Sequence, residues 1–379
     1  MRVAWDLQAV TGPRPTGLGI AVGFLLDACR HYAPDVEIVE LRPNEQDRPL
    51  KGVPDRLYWE QLKLPRMIAR VHRERPLDLC YSPALGAPLK SPVPVVANVN
   101  DLIPLVYPQS FSGFAGWYWK RLLPRTWRAS RGITVSNATV ADDIVRLLRV
   151  PRTKIHIVPY YPDPQLKPLA GELRQSAPGL TWDPSSSPPL FITMASHEPR
   201  KNIELAISAV ALLHGRGIRA RLTCAGGRTT HTETLATLAR KHGLAEFVDF
   251  PGYVERREAV RLMLSATALI FASRYEGYGL PPLEAMTVGC PVVLSDIACH
   301  HAVYGEQAKW DSLPQDRRAA PRFVDPDDAE GLAEVLVELA QDEDHRRSLV
   351  ESGFAYSALF TPEATAGALA RAFSVALAT

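Results

Sequence analysis

The sequence predicts an α/β protein of two doubly wound domains, each a parallel sheet covered by helices on both faces. The chain has 379 residues, more than one ordinary domain needs. Short apolar runs alternate with amphipathic segments along most of it, which is the pattern of successive βαβ units. A segment rich in proline, serine and glycine, residues 176–190, separates two such series and indicates a linker.

The first series begins with an apolar run at residues 3–7, followed by a loop rich in glycine and proline. Helices are predicted at residues 20–30 and after Ser136, an expected N-cap. Most of the apolar runs end in polar or turn residues, as buried strands of a parallel sheet do. The further strands are predicted at residues 36–41, 77–83, 93–101, 131–136 and 154–160.

The second series restarts at residues 190–196 and ends with a helix near residues 329–342. Its other predicted strands are residues 221–227, 247–254, 268–273 and 290–296. Ligands of doubly wound sheets bind at the carboxyl ends of the strands, so the cleft between the two domains is the expected site.

Composition excludes several classes of protein. The chain is 46% hydrophobic and 22% charged, as soluble globular proteins are. No stretch of about 18 apolar residues predicts a transmembrane helix, and the N-terminus predicts a first strand rather than a signal peptide. A net charge of +2 argues against nucleic-acid binding. Five dispersed cysteines predict buried free thiols in a cytoplasmic protein, and no zinc-spaced His/Cys cluster calls for a metal.

The stretch "SRYEGYGLPPLEAM", residues 273–286, holds two carboxylates, Glu276 and Glu284, around the expected start of a helix. Pro281 and Pro282 fit the first turn of that helix, because their missing N–H groups need no partner there. Carboxylates suit the capture of sugar hydroxyls. The alternative is that Glu284 only complements the helix dipole and Glu276 is a solvated turn residue. Backbone N–H groups that would attract phosphate or hydroxyl oxygens belong to Gly277, Tyr278, Gly279 and Leu280.

A second candidate is "SHEPRKN", residues 196–202, between a strand and a helix. Arg200 and Lys201 stand directly before Asn202, an expected N-cap. Two cations at the positive end of a helix dipole are unfavourable unless an anion lies there, and a diphosphate would fit. The alternative is a solvated basic turn.

The first half offers two further candidates. Residues 16–23, "TGLGIAVG", lack the spacing of a dinucleotide fingerprint, but a glycine loop there would let a phosphate or sugar approach the backbone. A plain flexible helix start is the alternative. Asn100 and Asp101 follow a predicted strand, and Asp101 is a candidate for orienting a hydroxyl or accepting its proton. An Asx turn before Pro104 is the other explanation.

The segment Trp117–Arg131 carries five basic residues, four aromatics and no acid. Interleaved Trp and Arg side chains suit an anionic membrane surface or a lipid-linked acceptor. Alternatively, the aromatics pack inward and the arginines are solvated.

Taken in order along the chain, these motifs resemble the retaining glycosyltransferases of family four, which have the GT-B fold. The residues that carry the resemblance are "NDLIP", "ITVS", "EPRKN", "EGYGLPPLEAM…GCPVVLSD" and "VDPDD". The resemblance implies two Rossmann-like domains facing across a cleft. Residues 1–175 would form the acceptor-side domain, residues 176–361 the nucleotide-sugar-binding domain, and residues 362–379 a helix that crosses back to the first domain.

The resemblance also implies roles for the candidate residues. Glu276 would hold hydroxyls of the transferred sugar and Glu284 the ribose, while Arg200 and Lys201 neutralise the leaving diphosphate. Val254 falls where the family grips the base. The resemblance implies no metal and no cofactor beyond the nucleotide sugar, a GDP-sugar being favoured over a UDP-sugar by the "EPRKN" form. The remaining residues expected at the nucleotide sugar are Gly17, Leu18, Gly19, Ser196, Gly226 and Gly277 to Leu280.

Two departures from the family pattern stand out. Asn100 occupies the place of a usual His, so any role of an imidazole is lost, although a backbone carbonyl could still act there. Residues 194–196 occupy the place of a second arginine. Asn100 and Asp101 stay in the expected catalytic set with Glu276, Arg200 and Lys201.

The expected activity is transfer of a hexose, with mannose or a related sugar preferred, to a hydroxyl of a glycan or lipid-linked saccharide with retention. The alternatives are a UDP-sugar-dependent transferase, a GT-B epimerase or phosphorylase, and a degenerate sugar-nucleotide binder. The expected location is the cytoplasm, with peripheral membrane contact through Trp117–Arg131.

Overall fold

A computed structural model describes residues 1–10, 17–43, 52–84, 86–108, 111, 113–177, 179–183 and 187–378. Most of the loop rich in glycine and proline that precedes Gly17 lies outside the described residues. The same holds for residues 178 and 184–186 of the predicted linker.

Two six-stranded sheets organise the chain, and every neighbouring pair of strands in them is parallel. The first sheet has the order β2-β1-β3-β4-β5-β6 and the second β12-β11-β10-β7-β8-β9. The prediction of two doubly wound α/β sheets is therefore confirmed. The strands are β1 Arg2–Asp6, β2 Glu37–Leu41, β3 Leu79–Ser82, β4 Val95–Val99, β5 Gly132–Val135, β6 Ile155–Ile157, β7 Leu190–Met194, β8 Arg221–Ala225, β9 Val248–Gly252, β10 Ala268–Phe271, β11 Val292–Ser295 and β12 Arg322–Val324.

Helices cover both series of strands. The α-helices are α1 Gly17–Tyr32, α2 Val53–Tyr58, α3 Leu64–Glu74, α4 Ile103–Val106, α5 Gly113–Trp117, α6 Leu123–Ala129, α7 Ala138–Asp143, α8 Leu166–Ser176, α9 Ile203–Gly215, α10 Thr232–Lys241, α11 Arg256–Ser265, α12 Leu280–Val288, α13 Ala298–Tyr304, α14 Gln307–Asp311, α15 Ala329–Gln341, α16 Glu343–Ser357 and α17 Pro362–Ala378. One-turn π-helices, at Trp59–Lys63, Tyr118–Leu122 and Ile144–Leu148, continue α2, α5 and α7. Asn137 caps α7 by accepting the Val140 N–H at 3.2 Å, so the expectation that Ser136 is the N-cap is wrong by one residue.

The chain divides into two compact units, Met1–Tyr161 with Phe360–Thr379, and Pro162–Leu359. The division between them falls after Tyr161 and not at the predicted 175/176. Helix α8 accounts for the difference, because Arg174 in α8 donates to the Val288 carbonyl at 2.6 Å, within the second unit. The predicted linker is also anchored there, since Arg346 stacks on the buried Trp182 ring at 4.5 Å.

In the first unit, the last helix α17 packs on α1 and the first sheet. Phe373 is fully buried, with its ring 5.1 Å from Tyr81 and 6.4 Å from Trp5. The Thr365 hydroxyl donates to the Pro159 carbonyl at 2.7 Å. Burial of an aromatic ring of this size stabilises a fold by roughly 2 to 3 kcal/mol, so α17 is an integral part of this unit.

In the second unit, α9 and α15 pack against each other and on the second sheet. Their inner faces carry buried aliphatic side chains such as Ile207, Val210 and Leu336. The five cysteines of the chain are free and buried, as their dispersed spacing predicted. In the part of the chain that the structure describes, no helix is long and apolar enough to span a bilayer.

The segment from α2 to α3 was not predicted, and it carries a buried acid. Glu60 is fully buried and accepts from the Tyr118 hydroxyl at 2.8 Å to each oxygen. Gln8 links it to the equally buried Asp6, donating at 3.3 Å to Glu60 and 2.9 Å to Asp6. The pKa of Glu60 is raised to about 8, mainly by burial; the hydrogen bond from Tyr118 opposes this rise and the nearby Asp6 charge adds to it.

This buried acid predicts an unusual dependence of stability on pH. This carboxyl has a pKa of about 8 in the folded state and near 4.5 in the unfolded state. Its contribution to the unfolding free energy is fully present below about pH 4.5 and is lost as the pH rises towards about 8. We expect the Glu60→Gln variant to gain about 4 kcal/mol in unfolding free energy over the parent between pH 4.5 and pH 8. Urea titrations across that range measure this. Glu74→Gln, at the exposed end of α3, is the control and should follow the parent at every pH.

Candidate active site

The centre of the second sheet is a topological switch point. Strands β7 and β10 lie side by side there, with β8 following on one side and β11 on the other. Doubly wound sheets bind ligands at such points, beyond the carboxyl ends of the strands. The loop after β7 carries Ser196 to Lys201, and the loop after β10 carries Ser273 to Glu276. A backbone hydrogen bond of 2.8 Å from the Arg274 N–H to the Arg200 carbonyl joins the two loops.

Glu276 is the centre of the polar contacts at this point. Its side chain is 8% exposed and forms a short ion pair with Lys201. Arg200 Nη1 lies 3.4 Å from Glu276 Oε2, and the Ser273 hydroxyl donates at 2.6 Å to Glu276 Oε1, the oxygen that faces Lys201. Burial alone raises the pKa of Glu276, but the charges of Lys201 and Arg200 and the hydrogen bonds outweigh burial, and the pKa lies below its usual value. Glu276 is therefore an ionised, firmly held hydrogen-bond acceptor at neutral pH.

A second carboxylate holds Arg200. Glu198 accepts from Arg200 Nε at 2.9 Å with one oxygen and from the Ser196 hydroxyl at 2.7 Å with the other. Arg200 and Lys201 are thus compensated by Glu198 and Glu276. The expectation that only a bound anion could compensate these two cations is wrong, because it overlooked the neighbouring Glu198 and the distant Glu276.

Asn202 fixes the β7 loop by a different route from the one predicted. Its backbone is left-handed, with φ 54°, and its side chain makes no capping hydrogen bond. Instead the amide donates to the Ala272 carbonyl at 3.2 Å and to the Pro326 carbonyl at 2.8 Å. The sequence analysis therefore missed that Asn202 links the loop of Arg200 and Lys201 to the end of β10 through hydrogen bonds. It also missed the contacts of Ser273 and Glu198, although both residues lie within the quoted motifs.

The glycine loop before α12 has a defined support. Gly279 has φ +83°, and a Cβ on it would lie 3.0 Å from the Phe271 ring. The fully buried Tyr304 hydroxyl donates a short hydrogen bond to the Gly279 carbonyl, and Cys299 Sγ lies 3.8 Å from the Tyr278 carbonyl. Helix α12 begins at Leu280, with the two prolines in its first turn as expected. Because α13 contacts the carbonyl side of this loop, it sets the loop's conformation.

Removing the Tyr304 hydroxyl tests this support. For the nucleotide sugar that the sequence resemblance implies, we expect Tyr304→Phe to lower kcat/KM about 10-fold while the Kd of the corresponding free nucleoside diphosphate changes less than about 2-fold. The reason is that the glycine loop loses the hydrogen bond to its Gly279 carbonyl, whereas the contacts of Arg200 and Lys201 stay as they are. Tyr356→Phe is the control, because its buried hydroxyl donates at 2.6 Å to Val303, outside the loop. An equal loss of kcat/KM in both variants would contradict the assigned role.

Three further predicted residues of the second unit lie on α12, after β9 and after β8. Glu284 is the fifth residue of α12, in its second turn, and is partly buried. Burial raises its pKa, and the charge of Arg256 acts in the opposite direction. Val254 is partly exposed just after β9. Gly226 directly follows β8 with φ +150°, and a Cβ there would lie 1.8 Å from the Ala195 carbonyl oxygen, so only glycine fits beside the loop after β7.

The first unit contains the remaining candidates. Gly17, Leu18 and Gly19 form the first turn of α1, so the predicted glycine loop is helical over these residues. Asn100 and Asp101 follow β4, at the carboxyl edge of the first sheet. Asp101 accepts the Ile103 N–H at 2.9 Å, which is the Asx turn left open by the sequence.

The segment Trp117–Arg131 has some side chains in the core and others at the surface. Tyr118 and Trp127 are buried, whereas Trp117 is 44% exposed and stacks on Phe114, which is 53% exposed, at 5.7 Å. Its exposed cations are Arg121, Arg125, Arg128 and Arg131. No group of three or more metal-ligating side chains occurs within the described ranges.

Comparison with known families decides the classification. The model "Glycosyl transferases group 1" matches residues 182–355, and the model "Glycosyltransferase Family 4" matches residues 17–165. The chain belongs to the family 4 glycosyltransferases. This family 4 chain shares the fold of the Anabaena Alr3699/HepE protein, solved in complex with UDP and glucose, at a TM-score of 0.68 and 14% identity over 99% of both chains. The fold is GT-B, as predicted.

Two curated relatives show what this family 4 chain is similar to. It is 30% identical over 44% of its length to the O-antigen chain mannosyltransferase B of Escherichia coli, of which it covers 40%. It is 27% identical over 72% of its length to the MMP alpha-(1->4)-mannosyltransferase of Mycolicibacterium hassiacum, of which it covers 63%. The chain thus spans between about two fifths and two thirds of these relatives.

Proposed function

We propose that the protein transfers mannose or a related hexose from a GDP-sugar to a hydroxyl of a glycan or lipid-linked saccharide, with retention at the anomeric carbon. The observation that carries this proposal is the Lys201–Glu276–Arg200 cluster at the switch point of the second sheet. A nucleotide sugar brings a diphosphate, which suits the two cations, and sugar hydroxyls, which suit the carboxylate.

The cluster also supports an order of events. A diphosphate that binds Arg200 and Lys201 competes with Glu276 for the same cations. Glu276 is then released to accept hydrogen bonds from sugar hydroxyls, and the two cations stabilise the charge that develops on the departing diphosphate. Because departure and attack on the same face of the sugar need no enzyme nucleophile, the proposal makes Glu276 a sugar holder and not a nucleophile. Glu284 and Val254 would contact the ribose and the base.

The names of the curated relatives support mannose as the sugar, since both are mannosyltransferases. The "EPRKN" form favours a GDP-sugar. A UDP-sugar is the second candidate, because the Anabaena protein of the same fold was solved with UDP and glucose. Neither donor requires a metal in this proposal, because Arg200 and Lys201 provide the positive charge that the diphosphate needs.

The acceptor proposal is supported by the surface of the first unit. The exposed stack of Phe114 and Trp117 stands in a segment with four exposed arginines. Exposed aromatics with cations suit the interface of an anionic bilayer, which would bring a lipid-linked acceptor to the protein. We therefore propose a cytoplasmic protein with peripheral membrane contact through this segment.

A ligand panel tests the donor. We expect GDP-mannose at millimolar concentration to raise the Tm of the protein by several degrees, and UDP-glucose, UDP-galactose and GMP to raise it less. The Lys201→Ala variant should lose most of the response to GDP-mannose. A larger shift with a UDP-sugar would replace GDP by UDP in the proposal. No shift with any nucleotide sugar would contradict it.

A further inference from the structure

A cavity of about 440 Å³ lies at the amino ends of β4 and β5 in the first unit. Its walls come from the segments that precede β4, β5 and β6. Because the strands of this sheet are parallel, the cavity is at the opposite edge from Asn100 and Asp101, which follow β4. It therefore lies away from the carboxyl edge, where doubly wound sheets bind their substrates.

Two cations line this cavity, Arg131 and Lys154. Neither forms an ion pair with an acid in the described part of the chain, and no acidic residue lines the cavity. A neighbouring cation behaves differently, since Arg152 lies 3.4 Å from Asp142. The cavity thus contains two positive charges that the protein itself does not compensate.

Hydrogen bonds fix the backbone that carries these cations. The Arg131 N–H donates to the Val95 carbonyl at 2.8 Å, which holds this residue at the start of β4. The buried Ser130 hydroxyl donates to the Thr126 carbonyl at 2.9 Å. Lys154 Nζ lies 3.4 Å from the Ser130 carbonyl oxygen, so the ammonium is held next to the backbone of Arg131. The two charges therefore stand together at one side of the cavity.

The rest of the lining narrows the chemistry of a ligand. The Ser91 hydroxyl accepts the Val93 N–H at 3.3 Å, which leaves its own proton to donate. Pro88 and Pro92 add apolar surface beside it. A phosphate monoester carries about −1.5 to −2 charges at pH 7, which matches two cations better than a single carboxylate does. A guanidinium can bind two of its oxygens, and an ammonium a third.

We propose that this cavity binds a phosphate monoester through Arg131 and Lys154, with the Ser91 hydroxyl as a further donor. The site belongs to the first unit alone and does not depend on the sugar donor proposed above. A soluble phosphate ester and the headgroup of a lipid such as phosphatidic acid offer the same chemistry. Arg131 is the last residue of the segment for which membrane contact is proposed, so the test includes both sources.

Calorimetric titration with glycerol phosphate tests the site in a Lys201→Ala background, which weakens phosphate binding in the second unit. We expect a Kd of about 1 mM, raised about 10-fold by Arg131→Gln or by Lys154→Met. Lys90→Gln is the matched control and should leave the Kd unchanged, because this exposed lysine does not line the cavity. Arg131 is exposed, so its replacement keeps the fold even if Lys154→Met does not.

Vesicles distinguish the two sources of the phosphate. Phosphatidylcholine vesicles that contain phosphatidic acid, a monoester, are compared in co-sedimentation with vesicles of equal surface charge that contain phosphatidylglycerol, a diester. A preference for phosphatidic acid that Arg131→Gln abolishes assigns the lipid headgroup, and binding of glycerol phosphate without this preference assigns a soluble ligand. Binding of neither probe, or equal affinities in the Arg131→Gln, Lys154→Met and Lys90→Gln variants, overturns the proposal. Sugar transfer plays no part in either measurement, so its failure would leave this result intact.

Discussion

Replacing Glu276 or Lys201 by alanine is expected to lower kcat/KM for sugar transfer at least about 100-fold, or about 3 kcal/mol of transition-state stabilisation. In the proposed mechanism, Glu276→Ala removes the acceptor for the sugar hydroxyls, and Lys201→Ala removes a cation that stabilises the leaving diphosphate. Initial rates at several donor concentrations measure both losses. Glu330→Ala is the control, because it removes an exposed ion pair with Arg216 in the same unit and should leave the rate unchanged.

The two variants should differ in how they bind the free nucleoside diphosphate. In the protein without ligand, Glu276 competes for Lys201 and Arg200. Its removal should therefore leave the Kd of GDP unchanged or lower it, whereas Lys201→Ala should raise that Kd about 10-fold or more. Calorimetric titration separates the two outcomes. A parallel loss of GDP affinity in both variants would indicate a collapsed site and contradict the separate roles of sugar holder and phosphate clamp.

Gly226→Ala is expected to be the most destabilising single-atom change in the site. The added Cβ would lie 1.8 Å from the Ala195 carbonyl oxygen on a backbone with φ +150°, so β7 and β8 must separate at their carboxyl ends. We expect a loss of about 3 kcal/mol in unfolding free energy and a Tm lower by roughly 6 to 12 °C.

The neighbouring glycine is the control for this change. A Cβ on Gly227 would meet only Ser196 Cβ, at 4.0 Å, so Gly227→Ala should change Tm by less than about 2 °C. Thermal unfolding followed by circular dichroism measures both variants. Equal Tm values for the two alanine variants would contradict the close approach of β8 to the β7 loop.

The sequence predicted most strands because a buried parallel strand is a short apolar run with a polar end, a local pattern. It could not predict that β7 lies beside β10, since strand order depends on long-range packing. The ion pair of Lys201 with Glu276, which joins residues 75 apart, was therefore out of reach even though both residues were candidates. The compensation of Arg200 by Glu198 is local, and a closer look at "EPRK" could have found it.

Other features were missed for different physical reasons. The helical segment that carries Glu60 has charged residues spread along it, so nothing in its pattern separated a buried carboxyl from exposed ones. For Gly17 to Gly19 the sequence left a ligand-binding glycine loop and a plain helix start open; α1 begins at Gly17 and packs on α17, which fits the helix start.

The central claim is tested most directly by incubating the full chain with GDP-mannose and a panel of saccharide and lipid-linked saccharide acceptors, and following GDP release and the new glycosidic bond by NMR. The account predicts GDP release that depends on an acceptor, and a product with the same anomeric configuration as the donor. Binding of nucleotide sugars without release for any donor and acceptor, or a product of inverted configuration, would contradict it.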